Sequence, residues 1–169
     1  VELNPKLSWE VNVLATQKLI ENAVKSGVKQ FIYASSGSVY GVKKEKEVTE
    51  ELPLVPISTY NKTKMISERV LKSYENDIKL YYIRPATVCG FSPRMRLDVS
   101  VNMFAFQALK FKSMTVFGGN QIRPNIHIQD MARAYEVLIE APKSKISGEI
   151  FNAGYENYSV LELASTVKK

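Results

Sequence analysis

The stretch Phe31-Ile32-Tyr33-Ala34-Ser35-Ser36, followed further along by Ser58-Thr59-Tyr60-Asn61-Lys62-Thr63-Lys64, decides how this chain folds and what it can do. The first segment is an apolar, strand-like run that ends in two serines. The second opens with hydroxyl residues suited to capping a helix start. On a helix, Tyr60 and Lys64 lie one turn apart on the same face, so a phenol and an ammonium can share one ligand. A tyrosine of ordinary pKa, about 10, is a poor base near neutrality, and a neighbouring cation stabilises its ionised form. Ser36 is then placed to hydrogen-bond the substrate oxygen whose proton moves. The competing reading is a Tyr/Lys pair on a solvated helix face, which chance can produce in a chain with nine tyrosines.

Outward from this centre, helical and strand patterns alternate without repeats or low-complexity tracts, which is an α/β signature. A first helix is expected over Lys6 to Ser26, ending at Gly27, with Val11, Leu14, Leu19 and Ile20 on or near its buried side. A strand covers Phe31 to Ala34, and Glu50 to Pro56 is a proline-punctuated loop. The next helix begins near Ser58 or Thr59 and runs to about Glu75, with Tyr60 in its first turn. Further strands are expected at Lys79 to Arg84, Thr115 to Phe117 and Glu149 to Asn152. Helices are expected at Val99 to Phe111, Gln129 to Glu140 and from Val160 onward.

Composition narrows the class without naming it. At 169 residues, 45% hydrophobic and 24% charged, one domain with an ordinary core is expected. Cys89 is the single cysteine, so no internal disulfide forms; its place in an apolar strand end predicts a reduced, buried thiol and suits a cytoplasmic setting. No apolar run is long enough to cross a membrane as a helix. A net charge of +6 raises nucleic-acid binding, but Lys43-Lys44-Glu45-Lys46-Glu47 mixes signs and cancels its own field, so no nucleic-acid partner is expected. Arg94, Arg96 and Arg123 sit beside expected strand ends, where guanidinium forks suit a diphosphate; Arg94 and Arg96 read equally well as surface loop. His127 is the only histidine, which excludes a multi-imidazole metal cluster, so no metal is expected. Its place before Gln129-Asp130 predicts an imidazole bonding backbone at a helix start, with Asp130 as a first-turn acid. Gly118-Gly119 reads as a turn, since no Lys-Ser or Lys-Thr follows.

Five segments together resemble one family. Asn12-Val13-Leu14-Ala15-Thr16, Val28 through Gly41, Tyr60 to Lys64, Arg84-Pro85-Ala86-Thr87-Val88-Cys89-Gly90 with Arg123 through Ala132, and Phe151-Asn152-Ala153-Gly154 with Ser159 to Ala164 are similar to the extended short-chain dehydrogenases/reductases. Within these, the match is to the NAD-dependent epimerase/dehydratase group acting on nucleotide sugars. The resemblance implies a doubly wound parallel sheet, Rossmann-like and partial, with part of a smaller C-terminal substrate lobe. Residues 1–90 are then the second part of the NAD-binding domain, and residues 91–169 a partial substrate-binding region interleaved with the last Rossmann elements.

Carried over by position, the resemblance implies Tyr60 as acid/base, Lys64 as the residue that holds the nicotinamide ribose and tunes Tyr60, and Ser36 as the partner of the reacting sugar oxygen. Asn12, Ala34, Ser35, Tyr60, Lys64 and Pro85 would border NAD or NADP. Ser36, Thr87, Asn102 and Arg123 would border the nucleotide-sugar substrate. Thr87 stands where many relatives carry asparagine, Pro124-Asn125 where an Asp-aromatic pair is commoner, and Ala15 where glycine is usual. Dehydratases of the group carry carboxylates just after the catalytic hydroxyl, whereas this chain has Gly37 and Ser38 there. Epimerisation by transient oxidation of a sugar hydroxyl is therefore expected ahead of dehydration. A reductase or decarboxylase of the same family, and more distantly a non-catalytic nucleotide- or RNA-binding relative, are the alternatives. The resemblance also implies a homodimer paired through the helices at Lys6 to Ser26 and Ser58 to Glu75.

The glycine fingerprint that grips a dinucleotide pyrophosphate does not occur in this sequence. In a doubly wound fold that turn follows the first strand, so roughly two strand-helix units, about 60 to 80 residues, are expected upstream. The chain thus reads as an internal piece of a longer enzyme that would not bind NAD or turn over substrate by itself.

Overall fold

A computed structural model describes residues 4–45 and 47–168. Contacts divide the chain into two compact units, one of Val1–Arg84 with Leu138–Asn152, the other of Pro85–Val137 with Ala153–Lys169, where length alone suggested a single domain.

In the first unit the N-terminal helical stretch is α1 (Pro5–Trp9), a π-helical segment (Glu10–Leu14) and α2 (Ala15–Lys25). The Asn4 side chain accepts from Leu7 N–H and caps the start. Next come β1 (Gln30–Ala34), a 3-10 turn (Gly37–Tyr40) and α3 (Thr59–Lys72). β2 (Lys79–Pro85) runs parallel to β1 with Phe31 opposite Leu80 and Tyr33 opposite Tyr82. β2 lies between β1 and β5 (Ile150–Ala153). Ile20, Tyr33, Leu71, Ile78, Leu80 and Tyr82 form the core, so the helices bury one stripe against the strands.

The expected helix from Lys6 to Ser26 exists, but its inward face is Val13 and Ile20. Val11, Leu14 and Leu19, expected near the buried side, are more than half exposed. Val13 and Ile20 are seven residues apart, about two turns, so they share a face; on the same count Val11 stands about half a turn from Ile20, and Leu14 and Leu19 about a third of a turn or less to either side, which turns all three away from the strands. α3 starts where its Ser58 cap predicts, and it ends at Lys72 rather than Glu75 because Ser73 to Asp77 fold into successive turns.

In the second unit β3 (Thr87–Cys89) pairs parallel with β4 (Ile122–His127), which pairs antiparallel with β6 (Glu156–Ser159). The β3 ladder starts at Thr87 opposite Asn125, so Pro124, with no N–H to give, is paired on the β6 side only. α4 (Ser100–Phe111) and α7 (Val160–Lys168) pack around Phe104, Leu163 and Ala164. α7 opens with a reciprocal box in which Ser159 Oγ accepts from Glu162 N–H and Glu162 accepts from Ser159 N–H. α5 (Ile128–Glu140) begins one residue before expectation; α6 (Lys143–Ile146), which belongs to the first unit, is a single short turn. Thr115 to Phe117 is not a strand. Gln107 Oε1 takes the Thr115 N–H, and Val116 packs against the Phe104 cluster.

Candidate functional site

In the first unit, β1 delivers Ala34, Ser35 and Ser36 to its C-terminal end, the position that ligands favour in open α/β sheets. Ser36 is extended (φ −161°) and accepts the Ser38 N–H, starting the 3-10 turn that carries Tyr40 back into the core. Gly41 closes this turn at φ +72°, where a Cβ would collide with the Val55 carbonyl.

α3 presents Tyr60 and Lys64 one turn apart, as its cap position dictates. Lys64 Nζ donates to Ala34 O at 2.8 Å and lies 5.0 Å from the centre of the Tyr33 ring and 5.8 Å from that of Tyr60. Burial pulls the Lys64 ammonium below its ordinary value, and the charge of Glu68, one turn on, opposes part of that shift. Ser36 joins the same helix indirectly: its Oγ is 2.8 Å from Ser38 Oγ, which donates to Asn61 Oδ1 at 2.7 Å. Ser35 is buried, and its hydroxyl has no hydrogen-bond partner among the described residues.

Asn12 reaches α3 from the π segment. Its Nδ2 donates to Thr63 Oγ1 at 2.9 Å, Thr63 donates in turn to the Tyr60 carbonyl at 2.8 Å, and Ser67 Oγ donates to the Asn12 carbonyl at 2.5 Å. That carbonyl lies within the π segment, a kind of turn that recurs at functional sites. One network of the first unit thus joins Asn12, Thr63 and Tyr60. Two others bring Lys64 to Ala34 and Ser36 to Asn61, beside Tyr60 in the helix.

Four participants are unexpected from sequence. Arg84 Nε and Nη2 donate to Glu68 at 3.0 and 2.7 Å, and Arg84 Nη1 donates to the Tyr40 hydroxyl at 2.7 Å. Tyr40 passes its own proton to Asn152 Oδ1 at 2.8 Å. The available signal was the continuation of the Tyr60, Lys64 spacing to Glu68.

In the second unit, Pro85, Thr87 and Cys89 are half-buried; Cys89 is therefore less enclosed than expected, though burial still raises its thiol pKa, and Sγ donates to Ile126 O at 3.5 Å. Asn102 is buried and works as a clamp: Oδ1 accepts from Gly90 N–H at 3.0 Å, and Nδ2 donates to the Arg96 carbonyl at 2.9 Å. Arg123 is exposed on β4 opposite Tyr158. Arg96 is bound to Asp98 through two bonds of 2.9 and 2.7 Å. His127 Nδ1 accepts the Gln129 N–H at 3.3 Å, the helix-start role expected of it, with Asp130 in the first turn. Asn125 Oδ1 is buried and without a partner among the described residues.

The family model for the NAD dependent epimerase/dehydratase family matches residues 2–154. The chain belongs to that family. An uncharacterised UDP-glucose epimerase of Bacillus subtilis is 34% identical over 161 residues, covering 93% of this chain and 49% of the relative. The UDP-glucose 4-epimerase 4 of rice (Oryza sativa subsp. japonica) is 30% identical over 98% of this chain and 50% of its own length. Among solved structures, UDP-glucuronic acid 4-epimerase from Bacillus cereus, in complex with UDP-glucuronic acid and NAD, superimposes with a TM-score of 0.83 at 33% identity, covering 93% of this chain and 50% of that one. This NAD dependent epimerase/dehydratase family chain spans about half the length of the curated relatives it matches. Its α/β architecture with parallel strands is that of the Rossmann-fold neighbours.

Proposed function

We propose that the whole protein carrying this chain is an NAD-dependent nucleotide-sugar epimerase that works by transient oxidation of a sugar hydroxyl, with Tyr60, Lys64 and Ser36 as its reacting set. The observation that carries this reading is the Lys64 ammonium, fixed on the Ala34 carbonyl one turn beyond Tyr60. There it can hold a ribose hydroxyl with its remaining donors and favour the ionised Tyr60 phenol.

NAD suits the residues present: Asn12, Ala34, Ser35, Tyr60, Lys64 and Pro85 would border its nicotinamide end, and the buried Ser35 hydroxyl still needs a partner. When bound, the nicotinamide supplies reversible acceptance of a hydride from a sugar carbon. Tyr60 takes the hydroxyl proton as that carbon is oxidised and gives it back afterwards; Ser36 orients the oxygen throughout. Thr87, Asn102 and Arg123 would border the nucleotide sugar, Asn102 by shaping the loop that it clamps. In this reading residues 1–90 form the second part of the NAD-binding domain and residues 91–169 part of the substrate region.

Gly37 and Ser38 favour epimerisation over dehydration, because elimination needs a carboxyl group where they stand. The partner is a second copy, docked on the exposed apolar face of Leu7, Val11 and Leu14. Among the described residues no helix is long and apolar enough to cross a membrane; the setting proposed for the enzyme is the cytoplasm. Incubating the whole protein with UDP-glucose tests the reading by mass spectrometry and absorbance at 340 nm. The expected result is an isomer of unchanged mass without net NADH; steady NADH accumulation would favour a dehydrogenase.

A further inference from the structure

Glu68 takes no part in the proposed chemistry, yet it is buried one helical turn beyond Lys64. Tyr60, Lys64 and Glu68 are spaced four apart on α3, so a phenol, an ammonium and a carboxylate follow one another along one side of the helix. Arg84 fixes that carboxylate from β2 with bonds of 3.0 and 2.7 Å, and the Tyr40 hydroxyl and the Glu50 carbonyl hold Arg84 in turn. A carboxylate pinned in this way cannot swing out into solvent, and water screens it little.

Lys64 gains from such a neighbour. Its bond to the Ala34 carbonyl is to an uncharged group, and burial favours the neutral amine, against which the charge of Glu68 works. The other titratable groups around it are Tyr60 on its own helix and Tyr33 of β1, the latter a phenol that burial pushes up to about 12. From the N-terminal helical stretch Asn12 is uncharged, and Glu21 accepts from Gln17 and Tyr74. Resting on the reading above, we propose that Glu68 is a positioning residue for cofactor binding: held by Arg84, it keeps Lys64 in the ammonium form that grips the nicotinamide ribose, and so extends NAD binding into alkaline solution. A carboxylate beside a cation delays the loss of its proton, so removing the carboxylate lets Lys64 lose its charge at lower pH.

Calorimetric titration of the whole protein with NAD, at about pH 7 and about pH 9.5, reads this apart from turnover. A Tyr60→Phe background serves as the parent, so that the phenol's own ionisation does not contribute. Two changes are made in it: Glu68→Gln, which keeps an oxygen for Arg84, and Glu68→Leu with Arg84→Met, which leaves no buried charge unpaired and so keeps a foldable variant in hand. Whatever affinity each retains near neutrality, its loss between the two pH values should be about threefold larger than the parent's. A change that merely disturbs packing would lower affinity equally at both. Lys64→Met in the same background should show no alkaline loss. An equal loss in the parent and in either folded Glu68 variant overturns the role of Glu68 while leaving the epimerase reading intact. A Lys64→Met protein that loses NAD in alkali as the parent does takes Lys64 away from the ribose and overturns both.

Discussion

Arg84 at the end of β2 holds Glu68 of α3 through two side-by-side hydrogen bonds, with only 3% and 7% of the two side chains exposed. The same guanidinium donates to the Tyr40 hydroxyl and lies 4.9 Å from that ring's centre. Arg84 therefore ties the helix of Tyr60 and Lys64 to the turn that starts at Ser36. Two buried charges cost solvation, and their fork geometry with extra partners offsets that cost.

Removing one member should hurt far more than removing both. Arg84→Met leaves a buried carboxylate alone and should cost about 3 to 5 kcal/mol in stability. The double change Arg84→Met with Glu68→Leu should recover most of the loss. Urea denaturation of the three proteins checks this, and equal losses in the single and double variants would refute it.

Alkali should loosen the first unit through Tyr33. Burial pushes this phenol from 10.0 up to about 12, with the Ser67 hydroxyl pulling the other way and the charge of Glu68 adding to the rise. A folded pKa above the unfolded one means that the folded state holds the proton longer. The stabilisation is therefore complete below pH 10 and is lost as pH climbs through about 12. Denaturation midpoints should fall over that window, and Tyr33→Phe should flatten the fall.

Tyr60→Phe should lower turnover of the whole protein by roughly 10²- to 10⁴-fold, the usual worth of a positioned acid/base. Lys64→Met should lower turnover and weaken NAD binding together, because this residue also holds the ribose in the proposed mechanism. Steady-state kinetics with cofactor titration separates the two. A Lys64→Met protein with unaltered NAD affinity would contradict the assignment.

Charge placed on the exposed apolar stripe should prevent self-association. Val11→Lys or Leu14→Glu, at positions 55% and 53% exposed, should leave the fold intact and shift the whole protein from dimer to monomer in sedimentation. An unchanged mass would place the interface elsewhere.

The start of α3 was readable because Ser58 caps it and Tyr60 and Lys64 keep helical spacing, and β1 was readable from its apolar run. The π segment was not, since a single extra residue per turn leaves no mark on the order of amino acids. Thr115 to Phe117 has strand-like composition, but tertiary packing of Val116 and a glutamine on its backbone decide otherwise. Short β3 and β6 depend on partners distant in sequence, and β4 contains a proline that argues against a strand until its one-sided pairing is known. The pairing of Arg84 with Glu68 is hidden for a related reason: each looks like an ordinary surface charge until the fold brings β2 against α3.

The tether from Lys64 to the Ala34 carbonyl has one more implication. A lysine side chain carries about 2 kcal/mol of rotational freedom, and here folding has already frozen much of it. An incoming ribose would meet an ammonium that is waiting in place, so its affinity would not be reduced by the ordering of a floppy arm.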